Sequence, residues 1–395
     1  MSAGAGEDAG SGKARYTYRL RMSGVAEKAL LVEWDRCRWV WNQCVAESKK
    51  AHQAGQTCGY AELDKQLTGW RQQQDWLAAG SAVPHQQTVR DFAKSRAKAL
   101  KDIRNRLPMR ARAGFPTFKK KQLAAPTLNY NRNAFRLVDR VLFLAKGVVV
   151  RPVWSRELPT APSSVRVYRD SLGHWYASFV VKAQAEPLPV TGRVVGIDWG
   201  VKAIATTTSA EHDLAHPQHG KTGSDKLARY QRAMARRRPG KGKPGSRRYR
   251  AAKRLAAKAH KKVARQRQQD ARMWAKNLVN DFDAVAVEDF KPKFLAKSTM
   301  ARKAADAGIR IAKTELVNMA GKHGRCVVMV DPKYTSTDCG QCGARATHRL
   351  PLSQRIYTCA TCGTVADRDR NAAQVVLNRA GLNPGGVDGV RPDAA

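Results

Sequence analysis

Acidic residues are scarce in this chain. Its 395 residues carry 32 Asp plus Glu against 72 Lys plus Arg, a formal net charge of +40, with pI ≈ 10.5. An excess of that size points to a soluble polyanion as partner, with nucleic acid the leading candidate. Long apolar runs are missing too. No stretch of about 18 consecutive apolar residues occurs, which excludes a transmembrane helix, and Met1–Gly12 has no apolar core, which excludes a secretory signal. No phosphate-binding loop of Walker type exists, and the glycine-rich run PGKGKPG (Pro239–Gly245) reads as a turn. Hydrophobic content is an ordinary 43%, so the positive charge belongs to folded protein. The length suits two or three domains.

What is present changes character along the chain. Residues 1–13 read as a disordered tail. Arg15–Met22 alternates Tyr16, Tyr18 and Leu20 against Thr17, Arg19 and Arg21, the period of a strand with one cationic face. From about residue 26 to 106 the spacing becomes helical, with Leu30, Leu31, Trp34, Cys37, Trp41, Cys44 and Val45 on one buried face. Trp39 lies off that face and is the better candidate for stacking on a nucleic-acid base. Lys94–Lys121 holds eleven Lys or Arg and one acid, Asp102, and ends in GFPTFKKK (Gly114–Lys121). Residues 126–183 switch to short strands separated by turn residues, predicting a small antiparallel barrel that the first strand completes.

Beyond Pro187–Gly192, VVGIDWG (Val194–Gly200) is an apolar strand ending in a carboxylate, and VKAIATTTS is its hairpin partner. Residues 221–276 contain 21 Lys or Arg and two acids, and read as a basic helical hairpin broken at Pro239–Gly245. FDAVAVEDF (Phe282–Phe290) is another buried strand ending in carboxylates, and RCVVMVD (Arg325–Asp331) is a fourth strand. Lys303–His323 reads as one helix and Ala366–Gly381 as another.

The eight cysteines form two groups. Cys37, Cys44, Cys58 and Cys326 are scattered, and Cys37 and Cys44 read as buried small hydrophobes. Cys339-x2-Cys342 and Cys359-x2-Cys362 are separated by sixteen residues, each pair on a glycine-bearing knuckle. This is the spacing of a four-thiolate zinc ribbon holding one structural Zn2+, in a reducing compartment. The histidines His52, His85, His212, His216 and His219 have no ligand spacing.

Carboxylates supply the chemistry. Asp198 ends one apolar strand, Glu288 ends another, and Asp367 and Asp369 open a helix. Acids at the ends of strands far apart in sequence can converge at one sheet edge. Three converging there would bind two divalent cations, with Mg2+ suited to such oxygens, and the ions would activate water and stabilise the leaving oxygen of a phosphodiester.

GIDWG, AVEDF, the TST-CGQCG/CATCG ribbon and DRDRNAAQ stand here in the order found in the TnpB proteins of insertion sequences and the miniature type V CRISPR effectors descended from them. YTYRL, CRWVWN and GFPTFKKK resemble that family as well, so the resemblance covers nearly the whole chain. Trp199 departs from the family's small aliphatic residue after the first Asp, NAAQVVL lacks a second Asn, and Gly308–Lys322 lacks a Trp and a Tyr-Lys pair. None of these removes a carboxylate.

The resemblance implies an α+β multidomain chain. A helical recognition region (26–106) is inserted in a small wedge-like β-barrel (14–25 and 107–190). A RuvC-like nuclease domain of RNase H fold follows (191–331 and 366–395, with a basic helical insert at 221–279), along with a zinc-ribbon target-loading module (332–365). It implies an Mg2+-dependent, RNA-guided DNA endonuclease with Asp198, Glu288 and Asp369 as the metal-binding triad. Asp369 is preferred to Asp367 because the family's third acid lies two residues before the Asn, here Asn371. The partners implied are a guide RNA, from a transposon end or a CRISPR array, and double-stranded target DNA carrying a short adjacent motif. The setting is the bacterial cytoplasm and nucleoid, and the stoichiometry on the RNA is open. Two other readings compete: an RNA-guided DNA-binding repressor with a weak nuclease, and an RNA-independent transposase of RNase H fold.

Overall fold

The structure is a computed structural model that describes residues 11–382, apart from 122, 241–242, 291–298, 349 and 352. The chain divides into two compact units, Met1–Ala183 and Gln184–Ala395.

The first unit begins with β1 (Ser11–Arg21) and continues through α1 (Gly24–Gln53), α2 (Tyr60–Gln73), α3 (Asp75–Ala78) and α4 (Ala82–Arg104). Six strands follow: β2 (Thr127–Asn131), β3 (Phe135–Val138), β4 (Val141–Leu144), β5 (Val148–Pro152), β6 (Ser164–Arg169) and β7 (Trp175–Gln184). They form one sheet in the order β2-β6-β7-β1-β5-β4-β3, with β1 at its centre. The edge strands β2 and β3 are joined by the single turn Arg132–Ala134, so the sheet curls until it is nearly closed. Alternation in β1 sends Tyr18 and Leu20 into a core with Val165, Val167, Phe179, Leu30 and Trp34. The four helices are thus inserted between the first strand and the rest. β1 starts earlier than its alternation suggested, so Ser11–Lys13 belong to the sheet and not to a tail; residues 1–10 lie outside the described residues.

The helices close over a second core of Val40, Cys44, Leu63, Leu77, Val89 and Phe92. Trp34 is buried and Trp41 half-buried, as their spacing predicts. Trp39 is not a free platform: it packs edge-on against Trp70 and Trp76, at 5.9 and 5.6 Å between centroids. Helical periodicity on α1 alone could not show that α2 and α3 supply a second apolar surface.

The second unit contains β8 (Val194–Trp199), β9 (Ala203–Thr207), β10 (Leu214–Ala215), α5 (His219–Thr222), α6 (Ser224–Ala235), α7 (Arg247–Asp281) and β11 (Ala284–Glu288). It continues with α8 (Ala301–Ala307), α9 (Ile309–Lys322), β12 (Cys326–Val330), β13 (Ile356–Thr358), β14 (Val365–Asp367) and α10 (Arg368–Arg379). Five strands pair in the order β10-β9-β8-β11-β12. The first three are antiparallel neighbours, and β11 runs parallel to both β8 and β12.

Both faces of the central strands β8 and β11 are covered, which is why those two read as continuous apolar runs. Val195, Ile197, Trp199, Val285 and Val287 face Trp274, Ala275 and Leu278 of α7 and Ile309, Ala312 and Leu316 of α9. Ala284 and Ala286 face Val376 and Leu377 of α10. The second helix of the basic segment is therefore more than an insert: its C-terminal half is core of this unit. The helix expected over Lys303–His323 is broken at Gly308, whose φ of 69° ends α8 and starts α9. No helix among the described residues is long and apolar enough to cross a membrane.

Candidate active site

Strand alternation places the acids. In β8, Val195, Ile197 and Trp199 point to the α7–α9 face, so Gly196 and Asp198 point to the α10 face. Gly196 has a reason to be glycine: a Cβ there would lie 2.2 Å from the carbonyl oxygen of Ala373 and 2.8 Å from Leu377 Cβ. The bare backbone lets α10 lie directly on β8. In the β8–β11 register Ala286 pairs with Gly196 and Val287 with Ile197. One residue further, that register sets Glu288 beside Asp198. Trp199 is buried on the opposite face against Trp274, 5.9 Å between centroids, so it does not intrude on the acids.

Burial, then the charges of Glu288 and Asp369, push the Asp198 carboxyl well above the usual carboxylate range. Burial also raises Glu288, against hydrogen bonds from Thr335 and Asp198. Asp369 accepts from Arg355 Nη1 at 3.3 Å. Asp367 does a different job: as N-cap of α10, its side chain accepts from the backbone N–H groups of Asp369 and Arg370, both at 3.0 Å. Neighbouring carboxylates of this kind form a hard-oxygen donor set, which suits Mg2+.

Sequence reasoning left out the groups that hold these acids in place. Thr335 is buried and its hydroxyl donates to Glu288 Oε1. Lys313 Nζ reaches the Glu288 carbonyl oxygen at 3.4 Å and Asp289 at 2.9 Å. The TST run before the first cysteine pair contains Thr335 but does not signal its partner, and nothing in sequence marks Lys313. We expect Thr335→Val to slow cleavage about ten- to a hundredfold, as loss of a ligand-orienting partner does. Thr335→Ser recovers most of the rate, and equal rates in single-turnover assays would show that Glu288 needs no such support.

The four cysteines gather at one point, with all four sulfurs within 4.8 Å of one another. Cys339 and Cys362 are 3.8 Å apart, and Cys342 and Cys359 3.7 Å. Four thiolates about 2.3 Å from a tetrahedral metal stand about 3.8 Å from each other, so the cluster fits such an ion. This knuckle is docked on α10. Gly340 N–H donates to Asn371 Oδ1 (2.8 Å), Asn371 Nδ2 donates to the Asp338 carbonyl oxygen (2.8 Å), and Asn378 Nδ2 donates to the Gly340 carbonyl oxygen (2.5 Å). Asp338 itself takes Arg345 and Arg379, both at under 3 Å.

One histidine does join a ligand-like group. Glu33, Cys37 and His85 are buried together in the first unit. Glu33 accepts from Ser81 N–H and Arg36, His85 Nε2 lies 3.2 Å from Glu33 Oε1, and His85 Nδ1 takes Arg71 at 2.9 Å. Burial alone would raise Glu33, but hydrogen bonds from His85 and Arg36 hold it below the ordinary range, while burial pushes the Cys37 thiol up. The group is a structural node tying α1 to α4. His212 and His219 pair with Asp281 and Asp270, at 2.8 and 2.6 Å.

Cationic side chains line the basic elements on their exposed sides. α6 buries no residue, and Lys226, Arg229, Arg232, Arg236, Arg248, Arg254 and Lys258 all face solvent.

Comparison with known proteins agrees in both parts of the chain. A family model described as "Cas12f1-like, TNB domain" matches residues 310–376, and the IS605 OrfB model, described as "Probable transposase", matches residues 178–299. A Streptomyces pristinaespiralis protein named "Putative RNA-guided DNA endonuclease" is 30% identical over 364 residues, covering 90% of this chain and 86% of that one. InsQ of Escherichia coli K12, described in the same words, is 26% identical over 391 residues, covering 92% and 91%. Among solved structures, a Cas12f1–sgRNA–target DNA complex matches in fold with a TM-score of 0.56 at 14% identity, over 93% of this chain and 98% of that one. Ordered motifs and near full-length similarity lead to one conclusion: the chain belongs to the TnpB family.

Proposed function

We propose that this protein is an RNA-guided DNA endonuclease that hydrolyses target phosphodiesters in a single RuvC-like site of RNase H fold. The observation that carries the reading is that the β8–β11 register sets Asp198 beside Glu288, on the sheet face covered by α10, the helix that carries Asp369. Numbered within that unit, the strand order is 3-2-1-4-5, with the fourth and fifth strands parallel to the first. This order supports the RNase H assignment. The relatives named for this activity span most of the chain.

Asp198, Glu288 and Asp369 hold the catalytic metal ions in this reading. Two Mg2+ ions bound there supply Lewis-acid activation of water and neutralise charge at the leaving oxygen. The protein's part is to carry the acids on one sheet face: Gly196 admits α10, and Thr335 holds Glu288. The four cysteines hold one structural Zn2+, and the folded ribbon keeps α10 seated through Asn371 and Asn378. Exposed cations of α6 and α7, and those of Lys94–Lys121, contact the phosphates of guide RNA and target DNA. Such contacts carry affinity, while base pairing carries sequence choice. The setting is the bacterial cytoplasm, on the nucleoid.

The test is to purify the protein from cells carrying its native locus, without nuclease treatment, and sequence the RNA that stays bound. A discrete RNA with a constant scaffold and a variable segment of about 20 nucleotides is expected. Its match to transposon flanks or to array spacers identifies the source. Heterogeneous RNA, or none, would sink the guided reading and favour the RNA-independent transposase.

A further inference from the structure

At Tyr334 the backbone takes a φ of 66°, a left-handed conformation natural to glycine and uncommon for a bulky aromatic residue. Strain of this kind persists where the surroundings over-determine it, and it gathers at functional sites. The surroundings here are tight. The Tyr334 carbonyl oxygen accepts from the N–H groups of Thr337 and Asp338, both at 3.0 Å. Arg379 Nη1 donates to the carbonyl oxygens of Asp331 and Lys333 on the other side, at 3.2 and 2.6 Å. Yet the ring held so firmly is not spent on a core, since Tyr334 is 44% exposed. Two cations flank it: Arg345 Cζ lies 3.9 Å from the ring centroid and Lys333 Nζ 4.9 Å. The next residue is Thr335, whose hydroxyl touches Glu288.

An exposed aromatic ring with Lys333 before it in sequence and Arg345 over the ring, one residue from the group that holds Glu288, has the makings of a single-strand contact. We propose that Tyr334 is a substrate-binding residue that stacks on a base of single-stranded target DNA beside the scissile phosphate, with Lys333 and Arg345 against the adjoining phosphates. The proposal rests on the endonuclease reading above. Stacking tolerates any base, because every base presents a π face. That tolerance suits an enzyme whose sequence choice is made elsewhere by base pairing. The competing role is structural: the ring could serve only to steady Arg345 in its pair with Asp338, whose oxygens lie 2.7 and 3.2 Å from the guanidinium.

The two roles predict opposite results for Tyr334→Gly, which removes the ring and relieves the strain together. The protein is loaded with its co-purifying RNA and given matching duplex DNA, either intact or with single abasic positions flanking the cut. If Tyr334 binds substrate, Tyr334→Gly melts no lower than the unaltered protein and retains its bound zinc, while kcat/KM falls about tenfold. Tyr334→Phe restores the rate. An abasic site beside the cut costs the unaltered protein a similar factor and the glycine variant nothing more. Cutting by Tyr334→Gly at the unaltered rate overturns the proposal. So does a loss that comes with a lower melting temperature and less zinc and is copied by Arg345→Ala. Failure of the unaltered protein to cut any matching duplex removes the endonuclease reading itself, and this proposal with it.

Discussion

Asp198→Ala abolishes DNA cleavage, to about a thousandth of the unaltered rate or less, while the protein still takes up RNA and holds matching DNA. The magnitude follows from the several kcal/mol of transition-state charge stabilisation that metal ions provide at such a site. Asp198 is crowded by Glu288 and Asp369, which have their own places in the set, so neither takes over its role. Binding survives because phosphate contacts come from exposed Lys and Arg, and removing an acid takes nothing from them. A second consequence separates the charge from the chemistry. The fold raises Asp198 above its unfolded value, so ionising it penalises the native state at every pH above the unfolded pKa. The neutral Asp198→Asn escapes that penalty. Without divalent cations it should melt a few degrees above the unaltered protein. Mg2+ should raise the melting temperature of the unaltered protein and move the variant little. Equal cleavage by Asp198→Ala and the unaltered protein would remove the triad. An unaltered protein that binds matching DNA but never cuts it would point to the repressor.

How far the sequence alone leads depends on the range of the interaction. The AVAVE strand was legible because all five residues are buried, and a strand covered on both faces must be apolar throughout. The same alternation that put Gly196 and Asp198 on one face could be read from VVGID directly. The spacing of the cysteine pairs likewise announced a ribbon, and their sulfurs do converge. Partners brought together from distant segments were not legible. Nothing near Thr335 says that its hydroxyl meets Glu288, 47 residues earlier. Asn371 served only as a landmark for counting to Asp369, yet it is buried and clamps the knuckle at Gly340 and Asp338. His85 had no ligand spacing because its companions Glu33 and Cys37 lie on another helix. Trp39 read as free because α1 was considered alone, before α2 and α3 gave it Trp70 and Trp76. Gly308 lay in view, but helical spacing on both sides masked the break that its left-handed φ makes.

Loss of the cysteine cluster should cost activity at a site to which it contributes no ligand. Cys359→Ser with Cys362→Ser should reduce bound zinc from one per chain to none, while added Mg2+ leaves the catalytic metal supply unchanged. The ribbon's own core is small: Cys339, Tyr357 and Cys359 are buried, with Ala344 and Leu350 packed beside them. So little apolar area cannot order a segment of this length without metal, whose binding energy in such modules is folding energy. Once the knuckle loosens, Gly340 releases Asn371 and Asn378 on α10, and Asp338 releases Arg345 and Arg379. Arg379 braces the turn that carries Thr335, and α10 carries Asp369. Two of the three acids thus lose support at once. If each lost support costs about tenfold or more, cleavage falls at least about a hundredfold. The strand core beneath, built from Val195, Ile197, Val285 and Leu278, stays intact, so circular dichroism should keep most of its helical signal. Full activity in a zinc-free variant would show that α10 is held by the sheet alone. Lost activity with global unfolding would make the ribbon part of the fold's foundation, and not a module seated upon it.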